Sequence, residues 1–396
     1  MKKLIFPILL VIFLAVGAVG AGGEIYGTIE TTRGEVLTGP IRWDANDNFW
    51  GDQLNARKTE PIQERDPEDG FRLSLFGWEI INNSSSQGRA YKQFSIPFGH
   101  LRSIEPEGSS GAVLELKNGE RVHVERSSSD LGRGLELVIE DADRGTVEIP
   151  WRRLARVEFA GNQNEGRDGQ RLYGTVTSRA GEFTGFIIWD RDESLAEDIL
   201  DGEEGGRDHE IPFHEIVTIE PAGSGAARVG LKSGEELTLR GTNDVNADNR
   251  GVIVVLEGLG NVEVGWRELE KVVFRDPPAS PTYGKFDGGR RLSGKVRTPG
   301  GQVYEGEITW DMDESNSWES LDGEVDDIEY SILFQYVQSI KPAGSGSAEV
   351  RLSDDRSLVL SGSNDVNGEN RGIMVTAADG TTTILGWEDV ELVEFD

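Results

Sequence analysis

The chain has 396 residues, no cysteine and a formal net charge of −31 at pH 7. Without cysteine, disulfides and thiolate metal sites are excluded, and stability has to come from packed cores, for which nine Trp, fifteen Phe and seven Tyr are present. The negative charge opposes contact with nucleic acid phosphates and anionic lipid surfaces, so polyanions are excluded as expected partners.

The first residues have the order of a secretory signal peptide. Met1, Lys2 and Lys3 precede an apolar stretch from Leu4 to Val19, after which small residues come. This stretch of about 16 apolar residues is shorter than the roughly 20 that a membrane-spanning helix needs. We therefore expect a signal peptide over residues 1–21, cleavage after Ala21, and export of a soluble protein to the periplasm or the extracellular space, with no insertion into the membrane.

Three stretches of the chain repeat one pattern, which predicts three tandem repeats. Landmarks of the second stretch recur in the third 121 positions later, as for Trp189 and Trp310 or Asp244 and Asp365. Each stretch closes on a Trp followed eight residues later by a Phe. We predict repeat 1 over residues 24–160, repeat 2 over 171–275 and repeat 3 over 290–396.

Repeat 1 is longer than the others in one place. Leu54 to Ile96 spans 42 positions where Leu200 to Ile211 spans 11, which leaves 31 extra residues. The extra stretch predicts an inserted hairpin over residues 55–95, whose aromatic side chains pack either on their own repeat or on a partner. The candidate partner-binding residues are Phe71, Phe76, Trp78 and Tyr91.

The apolar pattern predicts strands. Tyr304, Ile308 and Trp310 alternate with Glu305 and Glu307, which is the period of two that places alternate side chains on opposite faces of a strand. The tryptophans are therefore core candidates before they are ligand platforms. Gly-containing turns separate the apolar stretches at short intervals, so the fold class is all-β with minimal helix.

Each repeat divides in two at a Gly-Ser segment such as Gly223–Gly225. Both halves end with a strand, a short polar turn and a closing strand, as in Glu210–Glu220, and this ending resembles that of the SH3-like and Sm-like small β-barrels. Val229–Val255 also resembles the first Sm motif, but Asp244-Val245-Asn246 and Gly265-Trp266 depart from the residues of that family, so only its topology is carried over. The resemblance implies three tandem repeats, each a pair of small barrels; three larger single barrels or sandwiches are the alternative.

No catalytic constellation is found in the sequence, so no catalytic or cofactor-binding residue is predicted. There is neither a cysteine nor a Gly-x-Ser-x-Gly nucleophile elbow. The histidines, His100, His123, His209 and His214, do not recur at equivalent positions or at metal-ligand spacing, and His100 and His214 are expected on the surface. Paired carboxylates are able to do acid/base work, but among 71 acidic residues chance pairs are frequent, so the pattern decides nothing.

Acidic residues follow the first tryptophan of each repeat. Alternating carboxylates offer hard oxygens to Ca²⁺, which takes six to eight of them. Alternatively, Asp192 or Asp313 caps a short helix that begins near Ser194 in repeat 2. The candidate calcium ligands are Asp190, Asp192, Glu193, Asp311, Asp313 and Glu314.

A second polar loop, Asn243–Gly251, recurs as Asn364–Gly372. We interpret it as a structural turn, in which Asp244 bonds the local backbone and Arg250 pairs with that Asp. Taken together, these observations predict an exported, non-enzymatic binding or scaffolding protein of the bacterial cell envelope that presents repeated acidic β-barrel surfaces to a protein or glycan. The alternatives are a carbohydrate-active or other hydrolytic enzyme with a carboxylate pair, and a calcium-binding structural repeat protein.

Overall fold

The computed structural model describes residues 23–44, 47–60, 90–161 and 171–396. Over these residues the fold is all-β, as predicted, with antiparallel strands. The helices described are 3-10 turns of three residues each. In these ranges no helix has the length and apolar character needed to cross a membrane. The predicted signal peptide, residues 1–21, lies outside the described residues.

The strands fall into three sets of ten, which we call segments 1, 2 and 3. The strands of segment 1 are β1 (Tyr26–Thr31), β2 (Val36–Trp43), β3 (Gln53–Glu60), β4 (Ala90–Pro97), β5 (Leu101–Glu107), β6 (Gly111–Leu116), β7 (Arg121–Arg126), β8 (Glu136–Asp141), β9 (Gly145–Pro150) and β10 (Leu154–Phe159). The strands of segment 2 are β11 (Tyr173–Ser178), β12 (Gly181–Ile188), β13 (Ile199–Glu204), β14 (Arg207–Pro212), β15 (Ile216–Pro221), β16 (Ala227–Leu231), β17 (Glu236–Leu239), β18 (Val252–Leu256), β19 (Gly260–Val264) and β20 (Leu269–Phe274). The strands of segment 3 are β21 (Ser293–Arg297), β22 (Val303–Thr309), β23 (Ser320–Val325), β24 (Ile328–Leu333), β25 (Val337–Pro342), β26 (Ser347–Leu352), β27 (Ser357–Ser361), β28 (Ile373–Thr376), β29 (Thr382–Leu385) and β30 (Leu392–Phe395).

The 3-10 turns mostly precede a closing strand. They lie at Phe98–His100, Trp151–Arg153, Phe213–Glu215, Asn243–Val245, Tyr283–Lys285, Phe334–Tyr336, Asn364–Val366 and Trp387–Asp389.

Each segment arranges its strands in one order. In segment 1 this order is β4-β3-β7-β6-β5-β10-β1-β2-β8-β9. Segments 2 and 3 have the same neighbours with labels raised by ten and twenty, and in segment 2 the β13–β17 contact is the isolated bridge between Glu203 and Arg240. No described pairing joins the two ends of this order, so the expected closed small barrels are not found.

The two halves of a segment are interleaved. In segment 2, β12 from the first half pairs with β18 from the second, and β11 pairs with β20. Strand β15, which ends the first half, lies between β16 and β20. The predicted division at Gly223–Gly225 is therefore wrong as a boundary between two sheets. The free edge of β12 obtains its hydrogen-bond partner from the far half, a pairing that local sequence patterns do not encode.

The insertion of segment 1 lies between two strands that have counterparts elsewhere. Leu54 of β3 is opposite Ile96 of β4, just as Leu200 is opposite Ile211 in segment 2. The extra residues therefore connect β3 to β4. Of the candidate partner-binding residues, Phe71, Phe76 and Trp78 lie outside the described residues, and Tyr91 is described only by its backbone position in β4.

The recurring tryptophans form the centres of the cores, as predicted. Trp189 and Trp310, which end the alternating stretches, are fully buried, and the closing Trp266 and Trp387 are nearly so. In segment 3 the Trp310 ring lies 6.3 Å from that of Trp387, in an edge-to-face arrangement that aromatic pairs favour. The cores of segments 2 and 3 are continuous, while segment 1 has its own core.

Segments 2 and 3 are also joined by their backbones. Strand β19 of segment 2 pairs with β24 of segment 3, so that Gly260 is opposite Ile332 and Val262 is opposite Tyr330. We call this pairing the edge joint. It makes one continuous sheet of the two segments.

Segment 1 packs against segment 3 and the connection before it. Trp318 of segment 3 is fully buried in the core of segment 1. In the connection, the Tyr283 ring lies 4.4 Å from that of Trp50, and its hydroxyl donates to the carbonyl of Leu101 at 2.8 Å. The Pro-rich connection between segments 2 and 3 is thus seated on segment 1.

Candidate functional site

The acidic residues that follow Trp189 and Trp310 lie in tight turns. Asp190 and Asp311 have φ of 50° and 45°, in the left-handed region that Asp tolerates better than most residues. The turn brings the fourth residue back, so that Glu193 N donates to Trp189 O at 3.0 Å and Glu314 N donates to Trp310 O at 2.9 Å. The side chains of the first and fourth residues therefore converge on one point.

A third carboxylate joins each pair from the polar loop. The Trp189 Nε1 donates to the carbonyl of Asp244 at 3.1 Å, and the Asp244 carboxylate accepts from Asp201 N at 2.7 Å. Asp365 is held in the same way by Trp310 and Asp322, at 3.0 and 2.8 Å. These bonds fix the third carboxylate in both segments.

The result is two equivalent acidic clusters. The segment 2 cluster contains Asp190, Glu193 and Asp244, and the segment 3 cluster contains Asp311, Glu314 and Asp365. Within each cluster one carboxylate oxygen from every residue lies within 4.8 Å of the others. Of the predicted ligands, Asp190, Glu193, Asp311 and Glu314 are brought together, while Asp192 and Asp313 are not cluster members.

An arginine of the polar loop contacts both aspartates of the turn. Arg371 Nη2 lies 2.6 Å from Asp311 Oδ2 and 3.2 Å from Asp313 Oδ2. In segment 2, Arg250 makes the same contacts at 3.1 and 3.4 Å with Asp190 and Asp192. The expected pairing of Arg250 with Asp244 is wrong, because the Asp244 carboxylate faces β13. The guanidinium therefore balances the charge of the first aspartate of each turn and leaves the glutamates without a basic partner among these contacts.

The helix-capping alternative is also wrong. No helix follows Asp192 or Asp313; the residues after them form a second turn that a carboxylate closes. Asp198 Oδ2 accepts from the backbone N–H groups of Ser194 and Leu195 at 2.8 and 2.7 Å. Glu319 plays the same part in segment 3 and Asp52 in segment 1.

Among the described residues, Glu193 and Glu314 are the carboxylates with a buried oxygen that lacks a hydrogen-bond partner, which is Oε2 in both. Burial, followed by the charge of the third carboxylate, raises the pKa of Glu193 to about 8 and that of Glu314 to about 10. Burial also raises the pKa of Asp365 to about 7. At neutral pH each glutamate therefore holds a proton unless a cation balances its charge.

The segment 3 cluster borders a polar cleft of about 200 Å³ between segments 1 and 3. Its walls include Asn55, Ser95 and Ser127 from segment 1 and Glu314, Glu319 and Asp322 from segment 3. One side of the cleft thus offers hydroxyl and amide groups, and the other offers carboxylates.

Segment 1 carries a variant of the cluster. Asp130 replaces Asp244 and accepts from Asn55 N at 2.6 Å and from its Nδ2 at 3.0 Å. Burial, followed by the charge of Asp52, raises the pKa of Asp47 well above its usual range. Arg133 of this shortened loop donates its backbone N–H to Ser109 O. The described contacts of segment 1 therefore do not include the arginine contacts of the other two.

His100 is buried, contrary to the surface position expected from the sequence. Only 2% of the residue is exposed, and its Nδ1 accepts from Gly288 N at 3.1 Å. The Phe286 ring lies edge-on at 5.2 Å. Burial lowers the pKa of His100 to about 4, so its neutral form holds the connection on segment 1.

Sequence reasoning missed Asp244 and Asp365 as cluster members. The signal was present, because both recur with the Trp that binds their carbonyl groups, but the contact spans 55 residues. Comparisons with family models, with curated proteins and with solved structures found no match for this chain.

Proposed function

We propose that the chain is an exported, non-enzymatic binding or scaffolding protein of the bacterial cell envelope, built from three copies of one β unit. The common strand order of the three segments supports the copies. The strand, 3-10 turn and closing strand at β14 and β15 support a relation to SH3-like and Sm-like small barrels, in an open and interleaved form.

One observation carries the scaffolding proposal: buried ion pairs link segment 1 to both other segments. Arg171 of segment 2 contacts Asp52 of segment 1 at 2.6 Å, and Lys58 of segment 1 contacts Glu319 of segment 3. All four side chains are at least nine-tenths buried. Segments held at fixed positions present one composite surface, which is what a scaffold requires and what independent domains on linkers lack.

The charge of the surface indicates the chemistry of the partner. A net charge of −31 attracts basic proteins or cationic glycans and repels nucleic acids. Catalysis is disfavoured because segments 2 and 3 hold equivalent carboxylate clusters, whereas an enzyme site is expected to set one copy apart. Asp190 and Asp311 are also paired with Arg250 and Arg371, and either carboxylate would have to break this ion pair before it could act as a base or nucleophile.

The test uses the immobilised mature chain and a fractionated envelope extract. We expect a partner to be retained at low salt and released at high salt. The double variant Lys58→Met/Arg171→Met, which removes both inter-segment pairs, should retain less of it than the control Glu349→Gln, which removes one exposed acid. No retained partner at any salt, or hydrolysis of a glycan panel that Glu193→Gln or Glu314→Gln abolishes, contradicts the proposal.

Calcium binding by the two clusters is a second candidate function. The unpartnered, buried Oε2 atoms of Glu193 and Glu314 favour it, since a divalent ion would satisfy them. Because these glutamates are protonated at pH 7, binding has to release protons. Calorimetry with Ca²⁺ in two buffers of different ionisation enthalpy should then give different binding heats. The difference between the two heats should be smaller in Glu314→Gln and unchanged in Glu349→Gln. Equal heats, or no heat at millimolar Ca²⁺, contradict this function.

A further inference from the structure

The edge joint pairs two kinds of edge strand that recur elsewhere in the chain with one edge unpaired among the described residues, so the same pairing is available between two molecules. We call the ninth strand of each segment its β19-type strand and the fourth strand its β24-type strand. The joint uses β19 of segment 2 and β24 of segment 3. In segment 1 the β19-type strand is β9, and in segment 2 the β24-type strand is β14. Among the described residues, β9 pairs only with β8 and β14 pairs only with β13.

A glycine makes the edge joint possible. Gly260 lies six residues before the closing Trp266, and a Cβ built on it would lie 2.2 Å from Ser331 O of the neighbouring strand. Only glycine allows the two backbones to approach this closely. The presence or absence of glycine at this position therefore decides which of the three β19-type edges is able to form such a joint.

Segment 1 has this glycine and segment 3 lacks it. Gly145 lies six residues before Trp151, has a φ of 72°, and a Cβ built on it would meet nothing within 4 Å. The corresponding residue before Trp387 is Thr381. The edge of β9 is therefore able to form a joint of this kind, whereas a joint at β29 would place the Thr381 side chain where Gly260 has none.

The receiving edge is open as well. In β14, Arg207, Asp208 and Glu210 are exposed and His209 is partly exposed, the same pattern that β9 shows over its first four residues. By position before the 3-10 turn, His209 corresponds to Tyr330 and Ile211 to Ile332 of the joint. A β9 strand placed on β14 in the register of the joint sets Gly145 opposite Ile211 and Val147 opposite His209.

We propose that β9 of one molecule pairs with β14 of a second copy, in the register that β19 and β24 use within the chain. The two edges differ, so the contact is heterologous, and repeating it gives a head-to-tail row of molecules or a closed ring. The contact goes beyond the scaffolding role and does not depend on the acidic surface. Because two copies of charge −31 repel one another, salt should strengthen it, whereas salt should weaken binding of a cationic partner.

The test is sedimentation of the mature chain over a range of concentrations at low and high salt. The weight-average mass of the native chain should rise by about twofold or more at high salt and high concentration. Val147→Lys and His209→Lys each place a charge on one edge and should remain monomeric under these conditions. Thr383→Lys, the equivalent change on the β29 edge, which lacks this glycine, should associate like the native chain.

A mixture of the two edge variants gives the decisive result. Val147→Lys retains an intact β14 and His209→Lys retains an intact β9, so an equimolar mixture should form dimers of about twice the monomer mass and nothing larger. Circular dichroism and thermal midpoints equal to those of Thr383→Lys establish that the variants are folded. A native chain that stays monomeric, a mixture that stays monomeric, or equal loss of association in Thr383→Lys would each overturn the proposal.

Discussion

Arg171 and Asp52 form a buried ion pair between segments 1 and 2, with Nη2 and Oδ1 2.6 Å apart and side chains that are 3% and 4% exposed. The guanidinium also contacts the faces of two rings, with its carbon 4.5 Å from the centre of Phe49 and 4.6 Å from that of Phe186. The Asp52 carboxylate accepts two backbone N–H groups besides. Both oxygens of the carboxylate are thus engaged.

Removal of Arg171 should destabilise the protein strongly, because it leaves the Asp52 charge buried. We expect Arg171→Met to lower the free energy of unfolding by about 3–5 kcal/mol, measured by urea denaturation at pH 7. The double variant Arg171→Met/Asp52→Asn should lose less than the sum of the single variants, since no charge then remains in the site. Strict additivity would mean that the two side chains do not interact.

Acid should loosen the connection on segment 1 through His100. Its pKa is about 4 in the folded protein against an ordinary 6.5, so the folded state favours the neutral imidazole. The stabilisation is complete above pH 6.5 and is lost as pH falls through 4, by about 3 kcal/mol in total. The neighbouring charges are Asp287, 3.8 Å from Nδ1, and Lys117, whose pKa burial lowers to about 7.

The measurement is urea denaturation at pH 7.5 and pH 4.5 for the native chain and for His100→Gln. Gln keeps a hydrogen-bond acceptor for Gly288 N and does not titrate, so the variant should lose less stability between the two pH values. His123→Gln, which changes an exposed histidine, should behave like the native chain. If His100→Gln loses as much stability between pH 7.5 and pH 4.5 as the native chain, the loss comes from the carboxylates and not from His100.

Rising pH should destabilise the protein through the segment 3 cluster. The pKa of Glu314 rises from 4.5 to about 10 on folding, so its contribution to stability is complete below pH 4.5 and is lost as pH rises towards 10. Glu314→Gln imitates the protonated side chain, and its advantage over the native chain should grow by on the order of 1 kcal/mol per pH unit in that range. Denaturation at pH 5, 7 and 9 checks this slope, with Glu349→Gln as the control that should show none.

The edge joint predicts unequal costs for one substitution at two glycines. Gly260→Thr places a Cβ 2.2 Å from Ser331 O, whereas Gly145→Thr meets no atom within 4 Å. Both residues have positive φ, so both substitutions strain the backbone. We expect Gly260→Thr to lower the free energy of unfolding by about 1–3 kcal/mol more than Gly145→Thr, measured by urea denaturation of dilute, monomeric protein. Equal losses would mean that the joint tolerates a side chain.

The strands and the core were predictable because their signals are local. Alternation of apolar and acidic residues identified β22 and the buried Trp310 that follows it, and the Leu and Ile landmarks used to measure the insertion are real cross-strand pairs. The interleaving of the two halves was not predictable in this way. The backbone groups on the edge of β12 can form hydrogen bonds with any strand, and the packing of the whole segment determines that the partner is β18.

The candidate site shows the same division. Asp190 and Glu193, both candidate ligands, converge through a short turn in one loop, but the position of Asp244 depends on the distant Trp189 indole and on the backbone N–H of Asp201 in β13. The burial of His100 was not predicted because one polar residue beside a strand carries no signal of the connection that later covers it. Burial of Arg171 likewise depends on docking between segments.

The interleaving of strands has a consequence for biosynthesis. When the chain has emerged only as far as β15, β11 and β12 have no strand to occupy their outer edges, because β20 and β18 have yet to be made. Ordering has to wait until roughly a hundred residues of a segment are available, after which the early and late strands assemble together. A fragment that ends after β15 should therefore expose the unpaired edges of β11 and β12 and aggregate, so no piece shorter than a ten-stranded segment should fold unaided.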